Sequence, residues 1–272
     1  MPTFRSLAND LGGLALVALL LGLVTLLPPD TSLDEVEAND AIRACVPRSY
    51  PPLVTGDSER PGIDIEILRV VAEHLGVNLL LDPNDAMGRD FNPRNWAINR
   101  GKCQILAGGV VDSTLTRSFL DIGPAYAETG WAIVAPEPLG DAGGLTVGVL
   151  TLVSGLDRIG LSSYLRREDV TIRVVRSAES LAEGVASGEF DAGITEALLA
   201  GAIAAENDWW VAYLPEELAR HNLVFGLWKG DLTLKRKVVE AFRKIESDGT
   251  LAAILERYGA APMARDGMIP TL

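Results

Sequence analysis

Histidine and cysteine are scarce in this chain, with two of each in 272 residues. No cysteine–histidine spacing of the zinc-binding kind is present, so a metal site is not expected. No serine–histidine or cysteine–histidine set supports nucleophilic hydrolysis. His74 closes a helix-like run, where a cation suits the helix dipole, and His221 precedes Asn222 at a loop or strand start. Both read as structural. Basic residues are also in deficit: 24 Lys and Arg stand against 37 Asp and Glu, for a formal net charge of −13. That balance argues against nucleic acid or an anionic membrane surface as partner. It does not exclude a small anion, because one arginine in a cleft dominates its surroundings. Disorder is disfavoured by the 48% hydrophobic content, and the 27 glycines and 15 prolines are ordinary for a globular α/β protein. The length allows one large or two small domains.

One long apolar run exists. Leu11 to Leu27 carries no charge and spans roughly 26 Å as a helix, just short of a hydrocarbon core. Residues 1–27 therefore fit a secretory signal peptide and a signal anchor equally well. Leu26-Leu27-Pro28-Pro29 offers no small-x-small cleavage site, Val36-Glu37-Ala38 is marginal, and no lipid-anchor cysteine follows the run. Either way the remainder is exported. Residues 28–40 are acidic and proline-led, and read as a solvated linker.

The ordered part begins with a strand, Ile42 to Val46, followed by the turn around Tyr50-Pro51-Pro52. Apolar residues from Ile63 to Leu75 recur at near-helical spacing, and Gly76 stops the helix. A strand at 77–81, a helix at 92–101 with Trp96, Ala97 and Ile98 inward, and a strand at 103–109 follow. This alternation implies a parallel sheet. From Thr146 it starts again: strands at 147–149, 170–175 and 191–195, with helices at 155–164 and 178–186. Residues 97–104 and 185–191 are alike, each a helix end on glycine before a strand, as in two similar lobes. Asn222 to Trp228 is a further strand, and Leu234 to Tyr258 a helix pair punctuated by Asp248-Gly249. Trp209 and Trp210 suggest either an aromatic ligand box or a strand edge packed on the second lobe; the strand edge is preferred.

The stretch Gly108 to Arg117 organises the chain. It follows a buried strand, and loops at the carboxyl ends of parallel strands are where open α/β sheets bind ligands. Its glycines let backbone N–H groups approach a bound group, Ser113 or Thr114 can cap a following helical turn, and Arg117 supplies a planar fork suited to a carboxylate. An ordinary surface arginine is the bland alternative.

Several motifs together resemble the exported solute-binding proteins for polar amino acids, family 3 of the bacterial extracellular solute-binding proteins. They are Tyr50-Pro51-Pro52, Gly62-Ile63-Asp64, Phe91 with Ala97-Ile98-Asn99-Arg100-Gly101, Thr114-Leu115-Thr116-Arg117, Pro124-Ala125-Tyr126, Lys229-Gly230-Asp231 and Ser247-Asp248-Gly249-Thr250. The resemblance covers roughly Ile42 to Gly259. It implies two doubly wound α/β lobes joined by two hinge strands, with the ligand in the cleft between them, the type II architecture of periplasmic binding proteins. Residues 41–134 and 222–262 would form lobe 1, residues 135–221 lobe 2, and 263–272 a loose tail.

By the same resemblance, Arg117 binds the ligand carboxylate with help from Thr114, Glu196 binds its amino group, and Tyr50 and Phe91 sandwich its side chain. Gly109, Asp112 and Ser154 complete the expected ligand set. Three departures stand out. Leu152-Val153 replaces a usual Gly-Thr pair and leaves Ser154 as the nearest hydroxyl, Asp112 adds a carboxylate beside Arg117, and Glu196 replaces the commoner aspartate. Asp112 either pairs with Arg117 or welcomes a second positive charge on the ligand. The resemblance implies a monomer without cofactor, in the periplasm, free or tethered by the uncleaved apolar segment. Its partners would be an amino-acid-like or related amine ligand and the membrane permease of an ABC transporter. Alternatives on this scaffold are an enzyme like the cyclohexadienyl dehydratases, with Glu196 or Asp112 as general acid, and an accessory protein of a periplasmic quinoprotein dehydrogenase. In lobes of this kind the first and third strands are neighbours, so Cys45 and Cys103 are expected to form a disulfide. Two buried unpaired thiols are the alternative.

Overall fold

A computed structural model describes residues 15–19, 22, 29–87, 93–139, 144–151, 156–168, 170–215 and 217–260. The chain divides into two compact units, Met1–Thr31 and Ser32–Leu272. In the first, residues 15–19 are helical. Most of the apolar run lies outside the described residues; among those described, no helix is long and apolar enough to cross a membrane.

The second unit holds two five-stranded sheets. The first runs in the order β2-β1-β3-β10-β4, built from β1 (Ala41–Val46), β2 (Asn78–Pro83), β3 (Ile105–Leu106), β4 (Leu120–Thr129) and β10 (His221–Trp228). The second runs β7-β6-β8-β5-β9, from β5 (Trp131–Ala135), β6 (Thr146–Val149), β7 (Thr171–Val174), β8 (Ala192–Glu196) and β9 (Trp210–Tyr213). In each sheet three strands are parallel (β2-β1-β3 and β7-β6-β8), and an antiparallel strand follows on the inner side, β10 beside β3 and β5 beside β8. The weak internal likeness in the sequence therefore corresponds to two lobes with one strand order. The chain passes from the first sheet to the second at Gly130 and returns between Tyr213 and His221. Because β5 pairs wholly within the second sheet, the first crossing falls ahead of the expected boundary at 134.

Local chemistry accounts for most elements. Helix α2 (Ile63–Leu75) buries Ile63, Ile67, Leu68 and Val71 on one face. It ends where Gly76 takes a left-handed conformation, with Gly76 N–H donating to the Glu73 carbonyl and Val77 N–H to that of Ala72. Asp157 caps α4 (Arg158–Arg167) by accepting from the N–H groups of Ile159 and Gly160 at 3.0 and 2.9 Å. Ser177 caps α5 (Ala178–Ala186) in the same way. Helix α6 (Ala197–Asn207) is nearly all apolar and buried, whereas α7 (Leu232–Ser247) and α8 (Thr250–Arg257) each bury one face.

Three expectations need correction. Within the stretch read as a solvated linker, Ser32–Ala38 forms helix α1; Val36 is fully buried, and the Ser32 hydroxyl lies 3.0 Å from that of Thr233. The acidic exterior of this helix hid the apolar contacts of Val36 and Leu33 that dock it on the core. The helix expected at 92–101 is a single 3-10 turn, Pro93–Trp96, after which Ala97 adopts a positive φ and is exposed. The Asn84 amide donates to the Trp96 carbonyl at 2.8 Å, which engages a group that a continuing helix would use. Finally, the span before Trp131, where the sequence pattern predicts no element, is the ten-residue strand β4. It is an edge strand, where the missing N–H of Pro124 is tolerated, and the register with β10 shifts beside it.

Cys45 and Cys103 form a disulfide, with Cα atoms 5.6 Å apart. Cys45 lies on β1 opposite Leu106 of β3, and Cys103 precedes that strand, so the parallel pairing brings the thiols together. The bridge is wrapped by Met87, Trp96, Leu106, Val110, Leu120 and Val224.

Candidate functional site

Ala107 follows strand β3, and the two glycines after it both take positive φ, 89° at Gly108 and 86° at Gly109. Side chains are excluded from both. A Cβ on Gly108 would meet Pro47 Cδ at 2.1 Å, and one on Gly109 would meet Tyr50 Cε1 at 2.6 Å. The glycine N–H groups turn toward Asp64 in the first turn of α2, donating to its Oδ2 at 2.5 Å from Gly108 and 3.4 Å from Gly109. The Tyr126 hydroxyl donates to the other oxygen at 2.6 Å. Asp64 is fully buried, and burial pushes its carboxyl from the ordinary 3.8 up to about 6, against the pull of those three donors.

From the second lobe, β8 delivers Glu196, which is 2% exposed. Its Oε2 accepts the Leu199 N–H at 3.0 Å, which makes it the N-cap of α6, and its Oε1 accepts the Thr129 hydroxyl from the end of β4. Burial raises its pKa, opposed by Thr129 and the helix N–H groups. The first N–H of α6, on Ala197, donates to the Gly130 carbonyl at 2.9 Å. Glu196 thus stands at the first crossing between lobes, and its charge reaches two phenols of the first lobe. Tyr50 and Tyr126 are both pushed well above the ordinary tyrosine range, by burial first and by the carboxylates of Asp64 and Glu196 after it. Among the described residues no basic side chain contributes to the shifts of these four groups.

The remaining candidates form a second group. Ser113 caps the short helix α3 (Thr114–Phe119), accepting the Thr116 N–H at 3.1 Å. Arg117 turns its fork onto Asp112, Nε to Oδ1 at 2.5 Å and Nη2 to Oδ2 at 2.7 Å. The pair is open to solvent, with 59% of the Arg117 side chain exposed, and Asp112 raises the arginine pKa further. Asp112 thus pairs with Arg117 in the structure. Thr114 is exposed at the start of α3. Phe91 and Ser154 lie outside the described residues.

The structure therefore brings Tyr50, Gly109 and Glu196 together and leaves Asp112, Thr114 and Arg117 at a more exposed rim. Asp64, Tyr126 and Thr129 join the inner group without having been singled out as site residues. Asp64 and Tyr126 were visible in the sequence only as parts of the Gly62-Ile63-Asp64 and Pro124-Ala125-Tyr126 motifs. Among the described residues no cluster of three or more His, Cys, Asp or Glu side chains is placed to hold a metal ion.

Two lobes of one topology, crossed twice by the chain and meeting at buried polar groups, define a bilobal α/β binding protein. The chain belongs to the bacterial extracellular solute-binding proteins, family 3, whose sequence model matches residues 42–261. It is 24% identical over 265 residues to the L-cystine-binding protein TcyJ of Escherichia coli, covering 93% of this chain and 96% of that one. It is also 24% identical over 264 residues to membrane-bound lytic murein transglycosylase F of Klebsiella pneumoniae. That match takes in 88% of this chain, which spans only 50% of the transglycosylase. Among solved structures, an ancestral cationic amino acid solute binding protein superposes with a TM-score of 0.67 at 21% identity, over 84% of this chain and 99% of that one. The amino acid transporter substrate-binding protein AbpA of Streptococcus pneumoniae, bound to L-arginine, gives 0.58 at 19% identity, over 83% and 97%.

Proposed function

We propose that this protein is exported, captures a small amino-acid-like solute bearing at least one ammonium group, and presents it to the membrane permease of an ABC-type transporter. The observation that carries this reading is the pair of buried carboxylates at the lobe junction, Asp64 and Glu196, which no basic side chain of the described residues balances. Burying an unbalanced charge is costly, and a cationic ligand offsets that cost on binding. Tyr50 beside Gly109 offers a ring face to the same ligand. At the rim, Asp112 neutralises Arg117, so a ligand carboxylate must compete for the fork and a carboxylate-rich ligand is disfavoured. A cystine-binding relative and a neighbour bound to L-arginine are consistent with this class of ligand. In this reading Phe91, Ser154 and Thr114 add contacts, residues 1–27 serve export, and the protein acts as a monomer in the periplasm.

The raised pKa of Glu196 supports a second reading, an enzyme using it as a general acid. A structural neighbour described as a precursor of cyclohexadienyl dehydratase supplies the analogy. Against it, both Glu196 oxygens accept hydrogen bonds, from Thr129 and from the α6 backbone, which favours the carboxylate over the protonated form a general acid needs. Mass spectrometry of small molecules released from the exported protein on denaturation tests the main reading. An amine or cationic amino acid is expected; a dicarboxylate would overturn the ligand class.

A further inference from the structure

Trp209 and Trp210 part company in the structure. Trp210 opens β9 and packs on the core of the second sheet, as expected of a strand edge. Trp209 instead lines a cavity of about 750 Å³, within the roughly 300–1,000 Å³ typical of small-molecule sites. The cavity lies along the lobe crossings, walled by residues 125–128 of β4, by α6, and by the end of α8 with the residues after it. Of the inner group only Tyr126 reaches it, while Tyr50, Asp64, Gly109, Asp112, Thr114, Arg117, Thr129 and Glu196 do not line it, so it adjoins the candidate cleft without sharing its carboxylates.

Its chemistry is one-sided. Three rings face it, Tyr126, Trp209 and Tyr213, together with three acids, Glu128, Asp208 and Glu256, and no lysine, arginine or histidine lines it. None of these acids takes part in an ion pair among the described residues. The lining is therefore acidic beside ring faces that attract cations, and one of those rings, Tyr213, already carries the Arg220 guanidinium 4.2 Å from its centroid. An anion is repelled there, and a neutral apolar molecule leaves the acids unused. We propose that this cavity is a second ligand site, for a small aryl or alkyl amine whose body packs on the rings and whose ammonium meets the carboxylates.

Calorimetric titration of the full chain with tryptamine, and with indole-3-acetate as a control of reversed charge, tests the proposal. Tryptamine is expected to bind and indole-3-acetate is not. The combined Glu128→Gln, Asp208→Asn and Glu256→Gln variant should weaken tryptamine at least about tenfold, the loss of more than one charge-assisted contact. Its thermal midpoint should stay within about 2 °C, because no ion pair is removed. Ala205→Trp, which fills the cavity from the exposed side of α6, should block tryptamine by shape alone. The cleft variants Arg117→Ala and Glu196→Gln should keep a tryptamine-binding event that the triple variant weakens and Ala205→Trp blocks, even where tryptamine also loses affinity for the cleft. Loss of tryptamine binding in those two would place the amine in the cleft and overturn the proposal, leaving the cleft reading intact. Equal binding of indole-3-acetate, or no tryptamine binding at about 10 mM, a concentration that detects even a very weak complex, would also overturn it.

Discussion

Strands β3 and β8 hold the same place in their two sheets, yet they end in opposite chemistry. Beyond β3 the backbone opens into two glycines whose N–H groups converge on Asp64, an acid from another element. Beyond β8 the strand ends on an acid of its own, Glu196, which turns back to cap the next helix. One topology thus presents donors on one side of the junction and a carboxylate on the other. The first lobe's donors are already taken by its own acid. Among the described residues neither acid forms an ion pair, and the basic side chain nearest the crossings, Arg220, stacks on the Tyr213 ring instead.

The largest expected effect comes from breaking the first-lobe end. Asp64→Ala leaves the Tyr126 hydroxyl and the two glycine N–H groups without their acceptor in the core. It should destabilise the protein by about 3 kcal/mol or more, read from denaturant unfolding. Asp64 also gives that end a pH signature. Its folded pKa of about 6 exceeds the ordinary 3.8, so its stabilising contribution is full below about pH 4 and is lost as pH rises through 6. Glu196 shifts in the same direction. Asp64→Asn should therefore flatten the fall in stability between about pH 4 and pH 6.5; an unchanged profile would remove Asp64 as its source.

A smaller effect sharpens the contrast between lobes. Only the first carries a disulfide, and the chain has no other cysteines. Replacing Cys45 and Cys103 by serine should cost about 2–4 kcal/mol in the chain-entropy view, given the 58-residue separation. Amide exchange should quicken in β1 and β3 and change less in β6 and β8. The smallest effect on stability is expected at the rim, where Asp112→Ala removes a solvent-exposed pair and costs about 1 kcal/mol or less. Its consequence lies in binding instead. The freed Arg117 fork should make carboxylate-bearing ligands better stabilisers in a thermal-shift screen than they are for the parent.

Periodicity exposed much of the fold. The apolar recurrence from Ile63 to Leu75 with Gly76 behind it, the alternation of strands and helices from Thr146, and the break at Asp248-Gly249 all correspond to elements in place. Strand β4 was hidden because Gly123 and Pro124 imitate a turn, and only its position at a sheet edge makes them tolerable. Helix α1 was hidden because its acidic surface outweighs the one buried valine. At the site, Tyr50, Gly109 and Glu196 were legible from motif position. The role of Asp64 was not, since its donors lie 44, 45 and 62 residues away and only the folded sheet brings them together. Both roles for Asp112 were visible beforehand. The pair with Arg117 forms where the Ser113-capped helix α3 brings the arginine back toward Asp112.

The most direct test of the account is calorimetry of the parent and the Glu196→Gln variant with L-lysine, cadaverine and succinate. The amide keeps the shape and one acceptor of Glu196 while removing its charge. The parent should bind an amine-bearing ligand and reject succinate, and the variant should lose at least about tenfold in amine affinity, since a charge-assisted bond to a buried group contributes roughly 1.5–3 kcal/mol. Succinate as the tightest ligand, or an amine affinity indifferent to Glu196→Gln, would contradict the claim that the lobe junction recognises positive charge.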